Sequence, residues 1–562
     1  MNTIKHLLLF ALVGLFFQNT TVQAQTYARN GMVVSASEIA SQTGIDILKQ
    51  GGNAIDAAVG TAFSLAVTWP SAGNIGGGGF IVFMDKDGKA TSFDFREKAP
   101  LASTQDMFLD ENGEVISGIN HNTLLAVGVP GTVAGLYKAH QKYGKLPWKD
   151  VVQPAVTLAK EGFPFTWSLY RAGSSYSKNE NLPFMQQYFL NENGELPELG
   201  EIWTQPELAH TLSLIRDHGR DGFYKGEVAK EIASYMKENG GIITEEDLAK
   251  YEAIEREPLK GTYKGYEIYS MPPPSSGGAT IIQMMNMMEQ ANFDEIEFNS
   301  ASYIHLLAET MRRAYADRAQ HLGDPDFNPD MPVDRLISKE HAKNRFANLD
   351  MTKASESDSS KFGQLYDGTN TTHFSVMDKD GNAVSLTYTL EHSYGVKMGS
   401  EKLGFIFNNE MGDFNPQPGV TTSRGQIGTP ANVVAPEKRM LSSMSPTIIA
   451  KDGKPYLLIG SPGGRTIINT VFQTILNVVE HDMRVDKAIE ALKIHHQWLP
   501  DRIVYESDLM SPDTRKILEA MGHTLSTRTN LGALMGITYF PEQNLIIGAA
   551  DSSRPDGAAI GY

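Results

Sequence analysis

The 562-residue chain contains no cysteine, which excludes disulfides, thiolate metal sites and a cysteine nucleophile. An oxidising compartment is compatible with that absence. Cations are also in short supply: 49 Lys and Arg face 66 Asp and Glu, a formal charge of −17. Such a balance argues against nucleic-acid binding and favours solubility. Long hydrophobic runs are missing but for one. Residues 7–17 form an apolar stretch of eleven, too short to cross a bilayer as a helix. Lys5 precedes it and Val22-Gln23-Ala24 follows, the pattern of an export signal removed before Gln25. Residues 1–24 are therefore read as a signal peptide. The mature chain, with 48 basic and 66 acidic residues, carries −18 and no candidate membrane span. It is expected in the periplasm or outside the cell.

Metal and phosphate motifs are absent too. No H-E-x-x-H or comparable spacing occurs, and His495-His496 beside Gln497-Trp498 reads as structural. Gly76 to Gly79 matches neither G-x-G-x-x-G nor GK[ST] and reads as a place where backbones pack closely. No cofactor and no metal are implied. No internal repeat of about 20–50 residues is apparent.

What is present is a long alternation of elements. The 538 residues after the signal exceed what one small core supports, so several domains or one large layered domain are expected. Helical spacing runs through 37–50 and 53–68, with Gly51-Gly52 between, and strands are predicted at 80–84 and 91–95. From 131 to about 347 the chain reads as mostly helical, with helices at 131–143, 148–161, 207–216, 278–291 and 302–317. The methionines from Met284 to Met288 read as helix packing, and Tyr315-Ala316-Asp317-Arg318 as a helix end with structural charges. Strand patterns return after 371, with hairpins over 376–388 and 447–460, and helices follow at 466–479, 485–492 and 512–521. Hairpins flanked by helices predict an α+β fold in which stacked sheets are enclosed by helical layers.

One stretch stands out by position. Asn370-Thr371-Thr372-His373-Phe374-Ser375-Val376 follows a polar, serine-rich run and opens a hairpin turned by Asp378-Lys379-Asp380-Gly381. Paired threonines are ordinary strand residues. A cut before Thr371, however, would create an N-terminal threonine whose hydroxyl is a nucleophile and whose α-amine can serve as its base. With a four-residue turn, Thr371 pairs near Tyr388, give or take a residue, and Thr389 lies across the hairpin.

Thr371-Thr372-His373-Phe374-Ser375-Val376, Asn408-Asn409-Glu410-Met411-Gly412-Asp413-Phe414, Leu441-Ser442-Ser443-Met444-Ser445-Pro446 and Ser461-Pro462-Gly463-Gly464 occur in that order. Upstream stand Asp94-Phe95-Arg96-Glu97 and Met271-Pro272-Pro273-Pro274-Ser275-Ser276-Gly277-Gly278. Together these motifs resemble γ-glutamyltranspeptidase over nearly the whole chain after residue 25. The resemblance implies the αββα sandwich of N-terminal-nucleophile hydrolases. It also implies autocatalytic cleavage between Asn370 and Thr371, in which Thr371 Oγ attacks the Asn370 carbonyl and water hydrolyses the ester. The products would be a large subunit, 25–370, and a small one, 371–562, paired as a heterodimer. The implied activity takes the γ-glutamyl group from glutathione and related amides onto Thr371, then passes it to water or to an amino-acid or peptide amine.

The donor carries an α-carboxylate and an α-ammonium away from the bond that breaks. By resemblance, Arg96 binds the carboxylate, for which its planar fork is suited. Alone, Arg96 beside Glu97 would read as a surface ion pair. Ser442 and Ser443 match hydroxyls that hold the same carboxylate. Asp413, helped by Glu410, matches the group that takes the ammonium. Thr389 would orient Thr371. Many relatives carry Asn at the position of Glu391, and some bacterial members carry Glu; a carboxylate there adds negative charge near the ammonium. Gly463 and Gly464, between a strand and a helix, would offer backbone N–H groups to a developing oxyanion, where a simple tight turn is the plainer reading. Residues 416–438 are long enough for a lid, and Arg424 stands where certain relatives place a gating tyrosine.

Three other functions remain open to the sequence. A glutaryl-cephalosporin acylase shares the superfamily. Ser175-Tyr176-Ser177-Lys178 fits the S-x-x-K of penicillin-recognising serine hydrolases, but no K-T-G partner occurs. A periplasmic solute-binding protein would need no chain cleavage, so a denaturing gel separates it from the transpeptidase.

Overall fold

The computed structural model describes residues 26–191, 193–358, 371–420, 428–507 and 509–562. The signal peptide, Asn370 and Arg424 lie outside the described residues, as does part of the 416–438 segment.

Strands form where β-branched and aromatic residues run between turn residues, and they assemble into two seven-stranded sheets. The first runs Ala558–Gly561, Gly31–Ser35, Thr371–Asp378, Ala383–Thr389, Gly78–Met84, Ala90–Phe95 and Ile254–Arg256, antiparallel throughout. The second runs Thr26–Ala28, Leu545–Ala550, Met535–Phe540, Lys454–Ile459, Thr447–Lys451, Tyr266–Ser270 and Leu259–Tyr263, again antiparallel. The sheets face each other through Thr371–Asp378 and Met535–Phe540. Helices Glu38–Lys49 and Ala54–Thr68 cover the first sheet, and Gly277–Met288 and Val485–Glu490 cover the second. This is an αββα sandwich. Each sheet takes strands from both sides of residue 371, so a cut there would leave two chains sharing both sheets and one core.

The strand that begins with Thr371 is buried along its whole length, as is its hairpin partner Ala383–Thr389. Its alternation has consequences on both faces. Phe374 stacks edge-on with Tyr388, whose hydroxyl donates to Ala62 O of the helix layer at 2.9 Å. On the opposite face Ser375 Oγ donates to Met535 O at 3.1 Å, tying the strand to the second sheet. At the turn, Asp378 Oδ2 accepts from Ala54 N at 2.9 Å, placing a carboxylate at a helix N-terminus, where it is favoured. The strand is thus pinned at its far end, away from Thr371.

The glycine run behaves as expected. A Cβ on Gly77 would lie 2.0 Å from Thr389 O, and one on Gly79 would lie 2.4 Å from Thr387 O. Only glycine lets these backbones meet.

The structure adds detail to two expected regions. The 131–347 region is not only helical: Ile254–Arg256, Leu259–Tyr263 and Tyr266–Ser270 are strands. The turn Lys264-Gly265, with φ of 44° and 87°, is the left-handed pair that two-residue hairpins favour. The helix expected at 302–317 runs Ala301–His321, with Arg318 in its last turn.

His373 lies between the sheets, with Nδ1 2.8 Å from Thr387 Oγ1 and Nε2 3.1 Å from Ser375 Oγ. Burial pushes its pKa down to about 3. The native ring therefore stays neutral below pH 6.5, while the unfolded one takes a proton. Stability is fully present above the unfolded pKa and is lost as pH falls towards about 3, by up to about 1.4 kcal/mol per pH unit for this one group. Thermal midpoints measured from pH 7 to 4.5 should fall less steeply for His373→Gln than for the parent; equal slopes would remove His373 from the account.

Candidate active site

Thr371 is paired with Thr389, one residue beyond the Tyr388 expected from the turn, while Thr372 faces Tyr388. Thr371 Oγ1 donates to Thr389 Oγ1 at 3.4 Å, and Thr389 Oγ1 accepts from Glu391 N at 2.8 Å. The contact is long, as hydrogen bonds at unliganded sites often are. Thr371, Thr389, Arg96, Glu391, Glu410, Asp413, Ser442, Ser443 and Gly464 all line one cavity. Met444, Arg465 and Ile467 complete it.

Arg96 follows the end of strand Ala90–Phe95 and is 1% exposed, so it is no surface residue. Its guanidinium is gripped by Glu410, by Asp413 at 2.5 Å and by Glu97 at 3.5 Å. Burial alone would lower its pKa, but these three acids hold it above its ordinary value. Burial pushes Glu97 up to about 8 and Glu410 well above the usual carboxylate range, Arg96 opposing in both cases. The acids outnumber the arginine. Of them Asp413 is the exposed one, its side chain 25% accessible.

Backbone and amide bonds set these groups in place. Asn408 bridges Gly76 O and Gly128 O, each at 2.8 Å, and accepts from Glu410 N at 3.1 Å. Ser442 N donates to Pro274 O at 2.9 Å, and Ser276 N donates to Ser442 O at 2.8 Å. The Pro-rich motif is therefore the support on which the Ser442-Ser443 segment lies.

Glu391 takes a left-handed φ of 76°, a conformation in which Asn is several-fold enriched. Its carboxylate oxygens are buried and accept no hydrogen bond among the described residues. His392 Nε2 lies 3.3 Å and His121 Nδ1 3.6 Å from it, a donor set a metal ion can use. The surrounding amide argues otherwise. Asn409 Oδ1 accepts from His392 N at 3.0 Å, while its Nδ2 donates to His121 O at 3.1 Å and to His392 Nδ1 at 2.9 Å. With Nδ1 accepting, the neutral ring carries its proton on Nε2, facing Glu391. A cation on Nε2 would require the opposite tautomer, with two donors meeting at Nδ1.

Gly463 and Gly464 join strand Lys454–Ile459 to helix Thr466–Val479, with φ of 136° and 59°. Gly464 lines the cavity and Gly463 does not; the Gly463 carbonyl accepts from Thr466 Oγ1 at 2.8 Å. Ser175 and Lys178 are exposed beside the end of helix Trp167–Tyr176 and line no part of this cavity. Sequence reasoning missed Arg465, which directly follows the glycine pair, and Arg318, which has no local motif to mark it.

The geometry predicts that Arg96→Lys raises KM for a γ-glutamyl donor about 10- to 100-fold while chain cleavage persists, since lysine keeps the charge but loses the fork. An unchanged KM, read from initial rates, would remove Arg96 from donor binding.

The γ-glutamyltranspeptidase family model matches residues 40–562. The chain is 45% identical over 539 residues to the glutathione hydrolase proenzyme of Escherichia coli (strain K12), covering 95% of this chain and 92% of that protein. The structure superposes on a cephalosporin acylase from Bacillus halodurans with a TM-score of 0.82 at 25% identity, covering 96% of this chain and 97% of that one. It also matches Helicobacter pylori γ-glutamyltranspeptidase with a TM-score of 0.54 at 43% identity, over 57% of this chain and 91% of that one.

Proposed function

Because the chain belongs to the γ-glutamyltranspeptidase family, we propose that Thr371 is the residue on which its γ-glutamyl transfer and glutathione hydrolysis turn. The protein is a self-cleaving γ-glutamyltransferase and glutathione hydrolase, made as one precursor that yields two subunits. Thr371 Oγ first attacks the Asn370 carbonyl, which breaks the amide, frees the Thr371 amine and leaves an ester; water then hydrolyses that ester, releasing the Asn370 carboxylate and restoring the Thr371 hydroxyl. The amine then accepts the hydroxyl proton as Oγ attacks the γ-carbonyl of glutathione. Cysteinylglycine leaves with a proton, and water or an acceptor amine resolves the γ-glutamyl ester. Arg96, Ser442 and Ser443 take the donor's α-carboxylate, while Asp413, Glu410 and Glu391 take its α-ammonium. Thr389 orients Thr371, and backbone N–H groups of the Gly463-Gly464 turn, which reaches the cavity at Gly464, serve the oxyanion. Residues 25–370 and 371–562 are the two subunits, exported to the periplasm or beyond by residues 1–24.

The observation that carries this reading is the single cavity shared by Thr371, Arg96 and Asp413. A nucleophile, a cation and an acid stand where one γ-glutamyl group can meet all three. The test is chromatography of purified protein incubated with glutathione, with and without glycylglycine. Glutamate and cysteinylglycine should appear, and a γ-glutamyl dipeptide should join them when the acceptor is present. Release of neither product would overturn the assignment.

A further inference from the structure

Arg96 alone is a poor source of positive charge for an incoming carboxylate, because Asp413 already pairs with it and Glu97 and Glu410 crowd the rest of its guanidinium. A second arginine stands behind the two serines. Arg318 lies on helix Ala301–His321 and is 3% exposed. Its neighbour Asp317 turns away, paired with Arg345 and with His341 at 2.8 Å. Arg318 Nε donates to Ser276 Oγ at 2.8 Å and Nη2 donates to Ser443 Oγ at 3.0 Å. Its Nη1 is buried with no hydrogen-bond partner among the described residues. No carboxylate there forms an ion pair with it either; Asp413 acts on it only at longer range. A guanidinium buried on these terms is costly unless an anion approaches it.

The direction of the bonds matters. Arginine can only donate, so the bond to Ser443 uses a lone pair of Oγ and leaves the hydroxyl proton free to turn into the cavity that Ser443 lines. Ser442 is arranged in the same way, its Oγ accepting from Met444 N at 3.1 Å. Ser276 closes the frame: its hydroxyl donates to Ser442 O at 2.6 Å. Two hydroxyls thus present their protons, one of them polarised by a buried charge.

We propose that Arg318 is a positioning residue for the donor's α-carboxylate, acting through Ser443: it fixes the serine's proton towards the cavity and adds to the positive field of Arg96, which the acids around that residue reduce. The proposal rests on reading Ser442 and Ser443 as carboxylate-binding. It explains why a helix charge with no acid partner is held against the motif's hydroxyls, and it makes the serines specific for an anion.

The test compares γ-glutamyl p-nitroanilide with 4-aminobutanoyl p-nitroanilide, which keeps the amine and lacks only the α-carboxylate. Arg318→Met should raise KM for the γ-glutamyl substrate about tenfold or more with a much smaller change in kcat, as loss of a charge-assisted bond predicts. Its kcat/KM for the 4-aminobutanoyl substrate should stay within about twofold of the parent, a change that counts as none on the tenfold scale expected of a lost contact. Ser443→Ala should narrow the preference similarly, and Arg318→Met added to Ser443→Ala should cost little more. Should Arg318→Met fail to fold, Arg318→Lys, which cannot hold both serines, should show the same preference loss in weaker form. If Ser443→Ala narrows the preference but neither Arg318 variant does, the Arg318 proposal falls alone. If Ser443→Ala leaves the preference intact, the carboxylate reading of the serines falls with it.

Discussion

Thr371→Ala protein should remain one uncut chain and lose at least about 10⁴-fold in kcat, since removal of a catalytic nucleophile costs that or more. One oxygen serves both events. In the precursor it attacks the Asn370 carbonyl, and in the mature enzyme it attacks the donor. Thr371 Oγ1 is placed for this by a buried strand pinned at its other end through Asp378 and by Thr389 across the hairpin. Thr371→Ser should still be cut, more slowly, because the hydroxyl survives while the β-methyl that stiffens χ1 is lost. A denaturing gel and a glutathione assay decide. Normally processed, active Thr371→Ala protein would refute the nucleophile.

Glutaryl p-nitroanilide should be turned over about 10²-fold less efficiently than γ-glutamyl p-nitroanilide, judged by kcat/KM. The two donors share a carbon chain and differ in the α-ammonium. Glu391, Glu410 and Asp413 line the cavity; Arg96 pairs with Glu410 and Asp413, while Glu391 faces the His121 and His392 rings and accepts no hydrogen bond among the described residues. Binding the glutaryl group would desolvate these acids without giving them their cation, a loss of about 2–5 kcal/mol when a buried pair is broken. Asp413 remains partly wet, so the lower end of that range is expected. Asp413→Asn should narrow the gap by impairing the γ-glutamyl donor more than the glutaryl one. Comparable rates for the two donors would favour an acylase, the activity named for one structural neighbour.

Much of this architecture can be read from the chain because the relevant residues cluster in motifs at strand ends. Thr371 opens a strand, Arg96 directly follows one, and Gly463-Gly464 separates a strand from a helix. Hairpin arithmetic placed Thr389 opposite Thr371 to within a residue, because side-chain alternation allows little slack. Gly77 and Gly79 could be read as packing glycines for the same local reason. Other features depend on contacts no local pattern encodes. Arg318 meets Ser443 across 125 residues, and Arg96 meets Asp413 across 317. The burial of Arg96 follows from the 410–413 and 440–441 segments that meet its guanidinium, and a dipeptide such as Arg96-Glu97 gives no hint of that. The tautomer of His392 is set by Asn409, 17 residues away and bound to three groups at once. The strands within 254–270 did carry a local pattern, alternation around Lys264-Gly265, but the long helical stretches on either side mask it.

The central claim is that Thr371 becomes the N-terminus of a second chain and carries the γ-glutamyl group. Intact-mass spectrometry of purified protein, acid-quenched during turnover of glutathione and followed by peptide mapping, tests it in one experiment. The account predicts two chains, the smaller beginning at Thr371, with a γ-glutamyl adduct confined to the peptide that contains it. An uncut chain that hydrolyses glutathione, or an adduct on any other residue, would contradict it.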